Sequence, residues 1–164
     1  MEKNLVKTIR KDNKVSFQIF FDSPLDLVFE VWSSSEHLGQ WWGPDGFTIT
    51  TSQFDFSNGG IWNFVMHGPD GTDYSNQIEF IDISFQKHIF YKHKGTGETN
   101  SGIHFETKVF FEKLENGTLV KTEMEFPSKE TLDLVADKFG AIEGGQEHLK
   151  NLGKYIESII RRDV

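Results

Sequence analysis

Residues 20–32, Phe20-Phe21-Asp22-Ser23-Pro24-Leu25-Asp26-Leu27-Val28-Phe29-Glu30-Val31-Trp32, and the later run Gly39-Gln40-Trp41-Trp42-Gly43-Pro44 decide how this chain is read. Phe20-Phe21 closes an apolar strand and Asp22-Ser23-Pro24 halts it. Ser23 is a residue type that caps helices, Pro24 suits the first helical position, and Asp26 completes a Ser-x-x-Asp capping pattern. Leu25, Val28, Phe29 and Trp32 then recur at i, i+3, i+4 and i+7, one apolar helical stripe. Ser33-Ser34-Ser35 ends that helix and caps a second short one carrying Leu38, Trp41 and Trp42. Gly43-Pro44-Asp45-Gly46 forces a turn.

Upstream of this stretch, Val15, Phe17, Ile19 and Phe21 alternate with Ser16 and Gln18, which predicts a half-buried strand over 14–21. Downstream the rhythm becomes strand, turn, strand. Strands are predicted over 47–56, 61–67, 73–83 and 87–94, broken by Ser57-Asn58-Gly59-Gly60 and Gly68-Pro69-Asp70-Gly71. A Gly- and Thr-rich loop, 95–102, follows. Phe105, Thr107, Val109 and Phe111 then alternate with charged neighbours, as do Val120, Thr122, Met124 and Phe126, with Asn116-Gly117 as the hairpin turn between them. Pro127-Ser128 opens the last, helical part. Leu132, Val135, Ala136 and Phe139 share one face, and Leu149, Leu152, Ile156 and Ile159 continue it beyond Gly144-Gly145. Those glycines either kink one helix or separate two.

Composition narrows the functional classes. The chain has 164 residues, enough for one domain with one sizeable core, and residues 1–164 are expected to form a single domain. Sixteen Phe and four Trp supply bulky apolar surface, while the mean hydropathy stays negative. No apolar run reaches membrane-span length, and the N-terminus lacks the apolar core of a signal peptide. There is no cysteine, so thiolate metal sites and disulfides are excluded and a cytoplasmic location is the simplest expectation. A formal net charge of −8 without a long basic cluster argues against nucleic acid and against anionic membranes as partners. No His-Glu-x-x-His pattern, phosphate loop or nucleophile elbow occurs, and Gly95-Thr96-Gly97 lacks the rest of a dinucleotide fingerprint. His104-x-Glu106 lacks the cysteines a zinc deaminase needs. No metal, no cofactor and no catalytic constellation is therefore expected.

A strand, two short helices, a run of antiparallel strands and a long helix define an α+β chain. Its sheet must cover its dry face with the C-terminal helix. The spaced motifs Phe21-Asp22-Ser23-Pro24, Trp41-Trp42-Gly43-Pro44, Gly59-Gly60-x-Trp62-x-Phe64-x-Met66-x-Gly68-Pro69-Asp70-Gly71 and Leu149-x-x-Leu152 resemble the START-like superfamily, also called SRPBCC or Bet v I-like. Within it the chain is similar to the branch related to the activator of the ninety-kilodalton heat-shock chaperone ATPase. That resemblance implies the helix-grip fold: a curved antiparallel sheet of six to seven strands wrapped on a long C-terminal helix, with two short helices after the first strand. It also implies a hydrophobic cavity between sheet and helix.

The residues expected to line such a cavity are Trp41, Phe54, Trp62, Phe64, Met66, Tyr74, Phe80, Tyr91, His93, Phe105, Val109 and Met124. If Lys92 and Lys94 face water, Tyr91 and His93 face inward, where they could orient a ligand or move a proton. A one-residue slip of register would reverse that face. Of Trp41 and Trp42, one is expected under the helix pair and the other at the cavity rim. The leading expectation is a binding module for a small hydrophobic or aromatic molecule, in a monomer or weak homodimer. Two alternatives follow from the resemblance. One is a cavity enzyme of cyclase, aromatase or hydrolase type. The other is a stress-response module that interacts with a chaperone and stimulates its ATPase.

Overall fold

A computed structural model describes residues 2–95 and 104–162. Of the glycine-rich loop predicted over 95–102, Gly95 ends the sixth strand and the rest lies outside the described residues. One antiparallel sheet runs in the order β1-β2-β8-β7-β6-β5-β4-β3. Its strands are β1 (Lys7–Lys11), β2 (Lys14–Phe21), β3 (Thr48–Phe54), β4 (Ile61–His67), β5 (Asp73–Ser84), β6 (His88–Gly95), β7 (His104–Leu114) and β8 (Gly117–Glu125). Six strands form a meander, and β2 then pairs with β8. The helices α1 (Leu25–Ser33) and α2 (Ser35–Trp41) carry the chain from β2 beneath the sheet to β3 at the opposite edge. Helices α3 (Lys129–Phe139) and α4 (Ala141–Arg162) follow the last strand, and α4 closes the grip.

The eighth strand, one more than expected, is β1. Its Lys7-Thr8-Ile9-Arg10-Lys11 sequence buries almost nothing, and Ile9 is 69% exposed. It is an edge strand held by its ladder to β2, from Lys7↔Gln18 to Lys11↔Lys14, and by side-chain bonds of Thr8 to Gln146 and of Arg10 to Asp133. Alternation reads strands that bury one face, and this one has no buried face to read.

The start of α1 also differs from expectation. The helix begins at Leu25, and its first bonds run from the N–H groups of Leu27 and Val28 to the Pro24 carbonyl. No side chain caps it. Ser23 is instead buried at the corner between β2 and α1, where its carbonyl accepts from the Thr118 hydroxyl at 2.8 Å. The β7–β8 turn is centred on Glu115-Asn116, since Leu114 pairs with Gly117 as the first rung of the ladder. Ser128 behaves as predicted, accepting from the Thr131 N–H at 3.1 Å at the start of α3.

The helical break falls at Gly140, which takes the left-handed conformation at φ 62°. Gly144 and Gly145 lie inside α4. A side chain at Gly145 would meet the Phe17 ring at 2.7 Å, so glycine there lets α4 lie directly on β2. Further along, Leu149, Leu152 and Ile156 of α4 are fully buried against the sheet.

Candidate functional site

The space between sheet and helices is filled at one end and open at the other. At the filled end α1 presses Phe29 into a nest of rings. Its centroid lies 6.3 Å from Phe56 and 5.2 Å from Phe111, and Phe56 lies 5.1 Å from Phe80. Phe54 joins this nest, 6.0 Å from Phe80. At the open end the first turns of α4 present Ala141 and Gly144, too small to fill the space, beside Gly145, which packs on Phe17. A cavity of about 180 Å³ remains there.

Four parts of the fold wall this cavity. Strand β6 contributes Tyr91 and His93; β7 and β8 contribute Phe105, Thr107, Thr122 and Met124. Phe17 comes from β2 and Met66 from β4. Trp32 of α1, the Trp42-Gly43-Pro44 segment, and His148 and Leu149 of α4 complete the wall, with His148 packed on Trp42 at 4.4 Å. No Lys, Arg, Asp or Glu is among the described lining residues.

Of the twelve side chains expected at a cavity, the structure brings five to this one: Met66, Tyr91, His93, Phe105 and Met124. The ladder sets the Tyr91 and His93 face, pairing Tyr91 with Thr107 and His93 with Phe105. The other seven pack elsewhere. Phe54 and Phe80 belong to the filled end, and Val109 is wholly buried beneath the sheet. Trp62 and Phe64 stack on each other at 4.1 Å behind Trp42. Tyr74 lies beyond Met66, beside Phe47 at 6.2 Å. Trp41 is the partner that goes under the helix pair: 3% exposed, 4.9 Å from Trp32, its indole N–H donating to the Val31 carbonyl at 3.0 Å. Trp42 takes the cavity wall because α2 ends at Trp41 and the chain turns extended at the next residue.

The sequence leaves open which of Trp41 and Trp42 takes the rim, and it does not mark Trp32 or His148 as members of the wall. Trp32 was read as part of a packing stripe. His148 carried no motif and is recognisable only once α4 is laid against the Trp42-Gly43-Pro44 segment. Its Nδ1 accepts from the Gly43 N–H at 2.9 Å, and Asn151 donates to the Gly43 carbonyl at 3.0 Å. Two residues of one helix turn thus hold both backbone groups of Gly43, whose φ of 103° suits glycine.

Electrostatically the site is neutral. As residues His93 and His148 are half-buried, but their rings are enclosed. Burial pushes His148 down to about 3; burial, with a smaller effect of the nearby His104 charge, pushes His93 down to about 4. Burial also pushes the Tyr91 phenol up, partly offset by the Thr107 hydroxyl opposite. That hydroxyl still makes no hydrogen bond of ordinary length. Three buried side-chain polar atoms lack a partner among the described residues: Trp32 Nε1, His93 Nδ1 and Thr107 Oγ1. All three belong to residues lining this cavity. By contrast the Trp41 and Trp62 indoles both donate, the latter to Thr51 Oγ1 at 3.1 Å.

Among the described residues no three His, Asp or Glu side chains converge as a metal site would require. His67 is occupied on the outer surface, bonding Thr50 at 2.8 Å and Asp73 at 2.7 Å. His104 and Glu106 sit exposed. No described helix is long and apolar enough to cross a membrane.

An antiparallel sheet gripping a long C-terminal helix over an apolar cavity is the architecture of START-like, helix-grip proteins. Within that class, residues 22–157 match the family model of the activator of Hsp90 ATPase homolog 1-like protein, and the chain belongs to that family. Solved structures share the fold. A protein from Arthrobacter aurescens is 24% identical over 93% of this chain and 91% of its own, with a TM-score of 0.87. One from Mycobacterium smegmatis is 21% identical over 94% of this chain and 98% of its own, with a TM-score of 0.82. An AHSA1 protein from Silicibacter pomeroyi is 18% identical over 88% of this chain and 97% of its own, with a TM-score of 0.72. Comparison with curated proteins gives no significant match.

Proposed function

We propose that this protein binds a small, largely apolar molecule in the cavity between its sheet and α4. The observation that carries this reading is an apolar cavity of about 180 Å³ between sheet and helix whose described lining holds no Lys, Arg, Asp or Glu. A guest's apolar surface would contribute about 25 cal/mol per Å² buried there.

A cavity enzyme is the second reading, supported by the inward face of His93, whose neutral imidazole could take a proton. No carboxylate lines the cavity to orient that ring or to share the proton, so binding without turnover is the better-supported reading. Chaperone activation rests on the family's name alone, and co-purification with the chaperone tests it.

Native mass spectrometry before and after incubation with pooled lipids and aromatic metabolites tests the binding reading. A stoichiometric adduct lost on denaturation is expected. No adduct from any pool would mean that the cavity does not admit guests. An adduct that leaves chemically altered would favour the enzymatic reading.

A further inference from the structure

Two hollows share one wall. Trp42, Gly43 and Pro44 line the interior cavity on one side. On the other side the same three residues line a surface groove of about 500 Å³, bordered by Gln40, Thr48, Asn151 and Lys154. The cavity is largely apolar, while the groove offers amide, hydroxyl and ammonium groups. Resting on the binding reading, we infer that residues 43–46 form a hinged strap, latched to α4 by Glu147, His148 and Asn151, whose opening joins cavity and groove into one elongated site. That site fits a molecule with an apolar chain for the cavity and a polar end for the groove.

The way the strap is held supports the hinge. Its sequence, Gly43-Pro44-Asp45-Gly46, has a glycine at each end, and both take positive φ, 103° and 86°. Rotation at two such positions lets a short segment move as a unit. Pro44 has no N–H, and among the described residues no backbone–backbone bond is made by Gly43, Asp45 or Gly46. Side chains of α4 hold this backbone instead. The Gly43 N–H donates to His148 Nδ1 at 2.9 Å, Asn151 donates to the Gly43 carbonyl at 3.0 Å, and the Asp45 N–H donates to Glu147 Oε1 at 3.0 Å.

The surroundings of the strap are fixed. Leu149, Leu152 and Ile156 anchor α4, none of them more than 1% exposed. Trp42 is wedged between Trp62 at 4.8 Å and His148 at 4.4 Å, and stays behind as the fixed side of the opening. Asp45 and Gly46 are exposed, so outward movement of the strap meets solvent. Breaking three side-chain bonds thus frees residues 43–46 while helix and sheet stay folded, a local opening rather than a global one.

Amide exchange followed by NMR on the intact chain, in urea below the unfolding transition, tests the hinge. The Gly43 amide is expected to exchange faster than the buried amides of β7 and β8, and with little dependence on urea. Asn151→Ala should speed it about 2- to 10-fold, the loss of one net hydrogen bond. Ser128→Ala removes the α3 cap and touches none of the latch. It should speed exchange in β7 and β8 and leave Gly43 unchanged. Gly43 exchanging in step with β7 and β8 in all three proteins would show a fixed wall and overturn the inference.

Calorimetric titration with pentan-1-ol and decan-1-ol tests the joined site. Only the open fraction houses the longer chain, so decanol affinity should rise in Asn151→Ala by the same factor as the Gly43 exchange rate. Pentanol affinity should stay close to its original value. Decanol affinity indifferent to the latch would also overturn the inference, since the chain would then leave the cavity by another side. If either arm fails while the pooled library yields an adduct, the binding reading stands without the strap. If neither the alcohols nor the pools bind, the binding reading falls and this inference with it.

Discussion

The backbone N–H of Gly43 donates to Nδ1 of His148 across 2.9 Å, tying the segment after α2 to the middle of the long helix. The bond requires an unprotonated Nδ1, and the enclosed ring is held neutral, its pKa pushed down to about 3 by burial. In the unfolded chain the same ring titrates near about 6.5. Between those values the unfolded state binds a proton that the native state refuses. Stability therefore rises with pH across that window and is lost as pH falls below about 6.5. His93, pushed down to about 4, acts in the same direction. Each ring contributes a slope approaching about 1.4 kcal/mol per pH unit. Urea midpoints measured from neutral pH towards about pH 5 should fall. His148→Gln, whose amide oxygen can still accept from Gly43, should flatten that fall. An unchanged slope in the variant would show that His148 is not the group responsible.

The paired tryptophans should separate by ligand preference rather than by stability. Trp41 and Trp42 are both heavily packed, and either change to Ala should cost on the order of 3–5 kcal/mol. Only Trp42 borders the cavity. Trp42→Ala should shift binding towards larger aromatics, while Trp41→Ala should leave the size preference unchanged. Native mass spectrometry with one-ring and two-ring pools distinguishes them. A shift towards two-ring adducts on Trp41→Ala would mean that the wall has been misassigned.

Helix caps offer a purely local comparison. Ser128 accepts from the Thr131 N–H at 3.1 Å, and Ser128→Ala should cost about 1 kcal/mol. Ser34 precedes α2 in the same extended conformation but makes no side-chain cap bond. Ser34→Ala should therefore change stability by less than about 0.5 kcal/mol. Chemical denaturation of the two variants decides it. Equal losses would contradict the geometry.

How much of this was readable beforehand depends on which residues bury a face. Phe105, Thr107, Val109 and Phe111 alternate cleanly because one side of their strand is dry, and the alternation of Tyr91 and His93 with Lys92 and Lys94 turns the first pair inward, as observed. Lys7–Lys11 has no dry side and so carries no alternation to read. The tryptophan on the cavity wall depends on the residue at which α2 stops, and helix ends are the least readable boundaries in a sequence. The cavity's place was hidden for another reason. It is made by side chains that are small or missing, at Ala141 and Gly144, and by where α1 covers the sheet. Neither is a periodic signal. Gly144-Gly145 drew attention as a possible helix break, when the break lies at Gly140 and the pair lies on the cavity side of α4.

That pair supports the sharpest prediction, because its two members occupy different surroundings. A Cβ at Gly145 would meet the Phe17 ring at 2.7 and 2.8 Å, and Phe17 is a bulky ring only 2% exposed. Gly145→Ala should destabilise by about 1–3 kcal/mol through overpacking. A Cβ at Gly144 would meet only Pro44 Cβ at 3.9 Å, ordinary contact. Its backbone is helical, so Gly144→Ala should stabilise by up to about 1 kcal/mol. Packing gives no reason for glycine there; the cavity does, since a methyl group at 144 would take up part of its volume. The variant should therefore melt higher and bind one-ring guests more weakly, two changes of opposite sign from one methyl group. Thermal unfolding and calorimetric titration on the same sample read both. A variant that is more stable and binds as tightly as before would remove Gly144 from the site. One that is less stable would show that α4 lies closer to Pro44 than this geometry allows.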